Sequence, residues 1–163
     1  MQSVPSGYPA YSANDFEMRF KVTPEQSLQL AKDYLSLVQF DEESDFGNLV
    51  FAAGRDLHSL AQAVLERYKL KKRQAATVSR FFANISTARN GQVRNRELGI
   101  SKCIWVVSTC GLREGDCNAS HVLLAGQQFD PATGLRTEDG YLLPGVAIDC
   151  TCTGKPIIRG FDA

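Results

Sequence analysis

Residues 94–111 read Arg-Asn-Arg-Glu-Leu-Gly-Ile-Ser-Lys-Cys-Ile-Trp-Val-Val-Ser-Thr-Cys-Gly, and the fold class turns on the change of character inside this stretch. Up to Leu98 the residues continue a helical pattern that starts far upstream. Gly99 suits a helix end, because glycine enters the left-handed conformation of a C-terminal cap without steric cost. From Ile100 the period is lost. Ile100, Cys103, Ile104, Trp105, Val106 and Val107 form a short β-prone run, closed by Cys110-Gly111, which predicts a buried strand. A helical half followed by a β-containing module makes the chain α+β.

Upstream, Ala76, Val78, Phe81, Phe82, Ile85 and Ala88 recur at helical spacing, so one long helix is expected between a basic hinge at residues 69–73 and Gly99, with a break or kink at Asn90-Gly91. A second helix is predicted from Phe46, Leu49, Val50, Ala53, Leu57, Leu60, Ala61, Val64, Leu65 and Tyr68, with Ser44 or Asp45 as its cap and His58 off its apolar stripe. The first helix is announced by Thr23-Pro24-Glu25-Gln26, which supplies an N-cap, a proline at the first helical position and a glutamine three residues past the cap. Its apolar face is read as Leu28, Ala31, Tyr34, Leu35 and Val38. Residues 1–14 mix Pro, Ser, Gly and Tyr without a period and read as a flexible arm that adds nothing to the core. The expected organisation is therefore an arm over 1–14, a region of about three helices over 15–99, and a loop-rich module over 100–163 that forms one compact unit with it.

Downstream of the strand, Gly126, Pro131, Gly134, Asp139-Gly140, Pro144-Gly145 and Gly154 punctuate short apolar pieces, as small strands and ordered loops require. Asp139-Gly140 between Leu135 and Tyr141 predicts a hairpin turn. A chain of 163 residues buries enough surface for a single domain. The longest apolar runs fall far short of the roughly 20 residues that span a bilayer, so no membrane partner is expected. Residues 1–16 lack the basic start and apolar core of a signal peptide, which places synthesis in the cytoplasm. Five cysteines without an export signal argue for thiols or a metal site over disulfides.

The formal charge is zero overall but uneven: net −5 over residues 1–68, +8 over 69–102 and −3 over 103–163. The basic block lies on the third helix, where Arg73, Arg80, Arg89, Arg94 and Arg96 are candidate contacts for a protein partner or for nucleic acid phosphates. Solvation, or pairing with the chain's own acidic segments, is the competing reading of the same residues.

Residues 69–160 resemble the minor head-morphogenesis proteins of tailed bacteriophages, the family typified by the F protein of phage Mu. The likeness rests on an ordered set: Gly99-Ile100, Ile104-Trp105, His121, Gly126, Phe129-Asp130, Gly134, Asp139-Gly140, Pro144-Gly145, Cys150-Thr151-Cys152 and Pro156-Ile157-Ile158. Two positions depart from the family's pattern. Asn118 stands where an arginine or cysteine is common, and Thr151 stands where the family often has arginine between the cysteines. The resemblance implies a non-enzymatic structural protein of the virion head, acting in head morphogenesis. Its partners would be portal protein and major capsid protein, with the backbone of packaged DNA as a further contact.

Three chemical readings attach to the module itself. In a strand, Cys150 and Cys152 point to one face. With His121 and either Cys117 or Cys110 they offer four ligands of the kind a structural zinc takes. Alternatively these are small buried hydrophobes of an ordinary core. An enzyme, toxin-like or nucleotide-modifying, is the third reading, either with Cys117 as nucleophile, His121 as its base and Asp116 orienting the imidazole, or with a metal held by His121, Cys150 and Cys152, and no oxyanion feature or Gly-rich phosphate loop accompanies it. Phe81, Phe82 and Trp105, which have the shape to stack on bases, sit at core positions.

Overall fold

Ser12 begins the first helix with a reciprocal cap: its backbone N–H donates to the Asp15 carboxylate at 2.7 Å, and its hydroxyl accepts from the Asp15 N–H. The helix is α1 (Ala13–Phe20), and it starts inside the stretch expected to be an unstructured arm. It belongs to a computed structural model that describes residues 4–39, 45–53, 56–107, 123–138, 140–148, 150 and 152–158. The fold is α+β with a helical N-terminal part. Five helices are present among the described residues where about three were expected.

Thr23 and Gln26 form the predicted box at the start of α2 (Pro24–Val38). The buried face of α2 is Leu30, Tyr34, Leu37 and Val38, while Leu28 is 57% exposed, so the apolar stripe runs in a different phase from the expected one. The helix expected over residues 46–68 is two helices, α3 (Asp45–Ala53) and α4 (Leu57–Tyr68). Asp56 caps the second of these by accepting from the Ser59 N–H. Sequence periodicity alone does not register a helix that restarts on its own cap, because the apolar spacing continues across the junction. The long helix, α5 (Lys72–Glu97), runs 26 residues through Gly91 without a break. It ends where expected: Ile100 N–H donates to the Asn95 carbonyl at 2.8 Å and Gly99, with φ of +69°, takes the left-handed cap position.

The chain divides into two compact units. The first comprises residues 1–4 and 10–86, and the second residues 5–9 and 87–163. The core of the first unit is aromatic. Tyr34 stacks on Phe81 with centroids 5.9 Å apart, Phe46 meets Phe82 edge-on at 4.7 Å, and Phe16 lies against both Phe20 and Tyr34. Tyr11 packs edge-on against Phe16, Tyr34 and Phe81. The supposed arm therefore contributes to this core. Ring pairs of this kind add about 0.5–1.5 kcal/mol each beyond the area they bury.

A buried carboxylate interrupts the aromatic core. Asp33 accepts from Arg67 through Nε and Nη2, both at 2.9 Å, from Gln29 at 3.1 Å and from the Tyr68 hydroxyl. The Arg67 guanidinium also lies over the Phe46 ring, 5.2 Å from its centroid. A carboxylate so nearly removed from water is tolerated because every one of these donors compensates its desolvation.

Two glutamines tie helix ends together in this unit. Gln26, besides completing the α2 cap, donates to the carbonyls of Tyr68 and Lys69 at the end of α4. Gln74 accepts from the Lys71 N–H at the start of α5 and donates to the carbonyls of Phe20 and Lys21 at the end of α1. Lys21 and Lys69 are the cap residues in question, at φ of +54° and +57°. A non-glycine residue there carries a backbone cost of about 1 kcal/mol or more.

The second unit is built on β1 (Cys103–Val106), the centre of a three-stranded antiparallel sheet with β2 (Gln128–Phe129) on one side and β5 (Thr153–Pro156) on the other. β1 alternates, with Cys103 and Trp105 buried and Val106 40% exposed, so only one of its faces packs inward. β3 (Leu135–Thr137) and β4 (Gly140–Leu142) form the predicted hairpin in the register Leu135 to Leu142 and Thr137 to Gly140. Residues 5–9 belong here as well. Leu143 N–H donates to the Gly7 carbonyl at 2.8 Å, and the Tyr8 hydroxyl donates to Gln92 Oε1 at 3.2 Å. Tyr8 is 4% exposed, which again corrects the reading of this stretch as an idle arm.

Candidate functional site

Of the residues that carry the resemblance, Trp105, Phe129, Gly134, Gly145, Cys150 and Cys152 are buried in the second unit, while Gly99, Gly126, Asp130, Gly140 and Ile158 are exposed. Trp105 and Phe129 meet edge-on at 5.9 Å across the β1–β2 pair, and Gly154 faces Trp105 on β5. Space opposite Gly154 is filled by Phe129, whose Cζ would lie 2.9 Å from any Cβ at that position. Asp130 shapes the following turn, accepting from the Ala132 N–H through Oδ1 and from the Gly134 N–H through its carbonyl, both at 2.8 Å. Gly145 donates its N–H to the Cys150 sulfur at 3.3 Å.

Cys150 and Cys152 are 1% and 3% exposed and lie outside the regular strands, just ahead of β5. Hydrogen bonding with the Cys152 thiol, and then burial, push the Cys150 thiol well above its ordinary value. Cys103, also buried, is raised by desolvation and secondarily by the Asp130 carboxylate. None of the three forms a disulfide among the described residues. At neutral pH the raised Cys103 and Cys150 thiols are protonated and poor nucleophiles. His121, Cys117, Cys110 and Asp116 lie outside the described residues, so the expected zinc set and the expected thiol–imidazole pair are each seen in part or not at all. Among the described residues no three His, Cys, Asp or Glu side chains converge as metal ligands.

The candidate contact arginines separate into two groups. Arg73, Arg80, Arg94 and Arg96 are exposed on α5, but Arg89 is 4% exposed and does not belong to an outward basic face. Helix phase does not separate the two groups by itself: at about 100° per residue Arg80 and Arg94 fall within about 60° of Arg73, but exposed Arg96 lies only about 20° from buried Arg89, so what packs over that turn decides. Arg89 instead serves the second unit, where its charge acts on the Tyr8 phenol, opposing the upward push of burial on that group. Gln92, one turn on, accepts from Tyr8 and donates to the Ala132 carbonyl at 2.9 Å.

Sequence reading missed Lys21, which the Gln74 bridge brings from the end of α1 to the start of α5, beside the basic run 69–73. The signal was faint: a glutamine three residues after Lys71 announces a cap, but not which distant carbonyl its amide will meet. No helix among the described residues is long and apolar enough to cross a membrane. Comparison of the chain with protein-family models, with curated proteins and with solved structures gives no match.

Proposed function

We propose that this chain is a structural minor head protein of a tailed bacteriophage, made in the host cytoplasm and incorporated in the virion head, where it acts in head morphogenesis by binding portal and major capsid protein. One observation carries the reading: the ordered set from Gly99 to Ile158 that resembles this family. Its described members include the buried pair Trp105 and Phe129, the turn at Asp130, the Gly145 donor and the paired cysteines of one unit. Residues used to pack a small module are under a common geometric demand, which is why their order and spacing are informative. The protonated, desolvated thiols of Cys103 and Cys150 favour a packing role over a nucleophilic one for these two residues.

Co-expression of the tagged chain with the portal protein encoded in the same genome tests the reading. The two should leave a size-exclusion column together, and the complex should be lost when Trp105→Ala unfolds the second unit. A portal ring that elutes free of the intact chain, together with capsid protein that also ignores it, would exclude this function.

A further inference from the structure

We propose that the surface where α1, α4 and α5 meet is a docking site for the phosphate backbone of nucleic acid, built from Lys21, Lys69, Lys71, Lys72 and Arg73. The sequence shows four of these as a run; the fold adds the fifth and fixes the arrangement. Gln74 holds the Lys21 carbonyl against the start of α5 at 2.9 Å, and Gln26, at the start of α2, holds the Lys69 carbonyl at 3.3 Å, so the backbones that bear these cations are tied at one junction of helix ends. All five residues are exposed, and among the described residues no ion pair ties any of them to a carboxylate. The first turn of α5 contains no acidic residue and opens with Lys72 and Arg73, so the positive end of the helix dipole reinforces the cations where acids are normally placed.

Backbone conformation sets two of the five positions apart. Lys21 and Lys69 are the only non-glycine residues with positive φ among those described, and both belong to this surface. Glycine fits such caps better, so the chain accepts strain at the two positions where a side-chain charge is kept. Five cations without an ion pair among the described residues outnumber the two carboxylates of the adjoining turns, Glu25 and Glu66, and the net positive charge suits an array of phosphates. An acidic protein surface is the alternative occupant. The proposal rests on the head-protein reading only for which nucleic acid is met, namely packaged DNA.

The two strained lysines make a clean test possible, because Lys21→Gly/Lys69→Gly removes charge while relieving backbone strain. The full chain should bind a fluorescent mixed-sequence DNA duplex with affinity that falls steeply as salt rises. The double variant should unfold at the same temperature or higher, yet bind about tenfold more weakly, with the slope of log affinity against log salt reduced by roughly 0.9 per cation removed. A Lys71→Gln/Lys72→Gln variant should lose affinity similarly, which covers the case of a glycine variant that folds poorly. No binding of the duplex at low salt, unchanged binding by both variants, or preference for a poly-glutamate peptide over the duplex would each overturn the proposal. The portal and capsid experiment is independent of all three outcomes, so failure here leaves the head-protein reading to be judged on its own.

Discussion

Asp33 is the residue on which the first unit's polar interior depends. It receives both Arg67 donors, the Tyr68 hydroxyl and the Gln29 amide while 5% exposed. Asp33→Ala would strand the buried phenol and deprive Arg67 of its partner. A loss of about 2–4 kcal/mol is expected, moderated by the partial exposure of Arg67, and readable as a lowered urea midpoint. Tyr68 adds a pH dependence of known sign. Burial, and then the Asp33 charge, raise the phenol above its ordinary value of 10.0. A raised folded-state value means the contribution to stability is complete below about pH 10 and is lost as pH climbs above it. Tyr8, raised by burial, acts in the same direction. Alkaline titration followed at the phenolate absorbance should show these two tyrosines ionising only as the protein unfolds. The same contrast between folded and unfolded chains applies to Cys150 and Cys152, which should resist alkylation until denaturant is added. Zinc at one equivalent, released by Cys150→Ser/Cys152→Ser, would instead identify the pair as ligands.

At the scale of elements, the cap of α1 offers the sharpest contrast between sequence expectation and structure. Ser12→Ala should cost about 1 kcal/mol in a thermal or urea melt, whereas a structureless arm would lose nothing. The box Ser12-x-x-Asp15 was present in the sequence but lay in a stretch dominated by Pro, Ser and Gly, whose composition outweighed the local signal. Thr23-Pro24-Glu25-Gln26 carried the same grammar before a clear apolar period and was legible at once. Gly99 and the β1 run were legible for the same reason: a left-handed cap and a β-prone run each follow from local chemistry. The hairpin between Leu135 and Tyr141 is another local pattern, and its register is as a two-residue connection would set it. What escaped was phase and junction. Leu28 looks like a core residue but faces outward, and α3 and α4 read as one stripe, because periodicity reports that a face exists without saying where a helix is cut.

Across the whole molecule, the tertiary partners of the candidate residues were the least legible part. Arg89 appears beside Arg80 in any count of basic residues, yet it is buried in the second unit, where its charge acts on Tyr8. Tyr8 itself was unreadable from its neighbours, because its partner Gln92 lies far along the chain, as does Leu143, which bonds the adjacent Gly7. Gly7 makes that placement testable. With φ of +89° and Leu143 Cγ 2.6 Å from where a Cβ would stand, Gly7→Ala should destabilise the second unit by about 1–3 kcal/mol, seen as faster amide exchange in β3 and β4. The burial of the cysteines in the C-terminal module, by contrast, was among the readings the sequence offered, because free cysteine behaves as a small apolar side chain. Whether that module belongs to a virion component is decided most directly by quantitative mass spectrometry of gradient-purified phage particles from a lysate expressing the chain. Incorporation in the head predicts its peptides in the particle fraction at a fixed ratio to portal and major capsid peptides; a chain abundant in the lysate but missing from the particles would contradict the account.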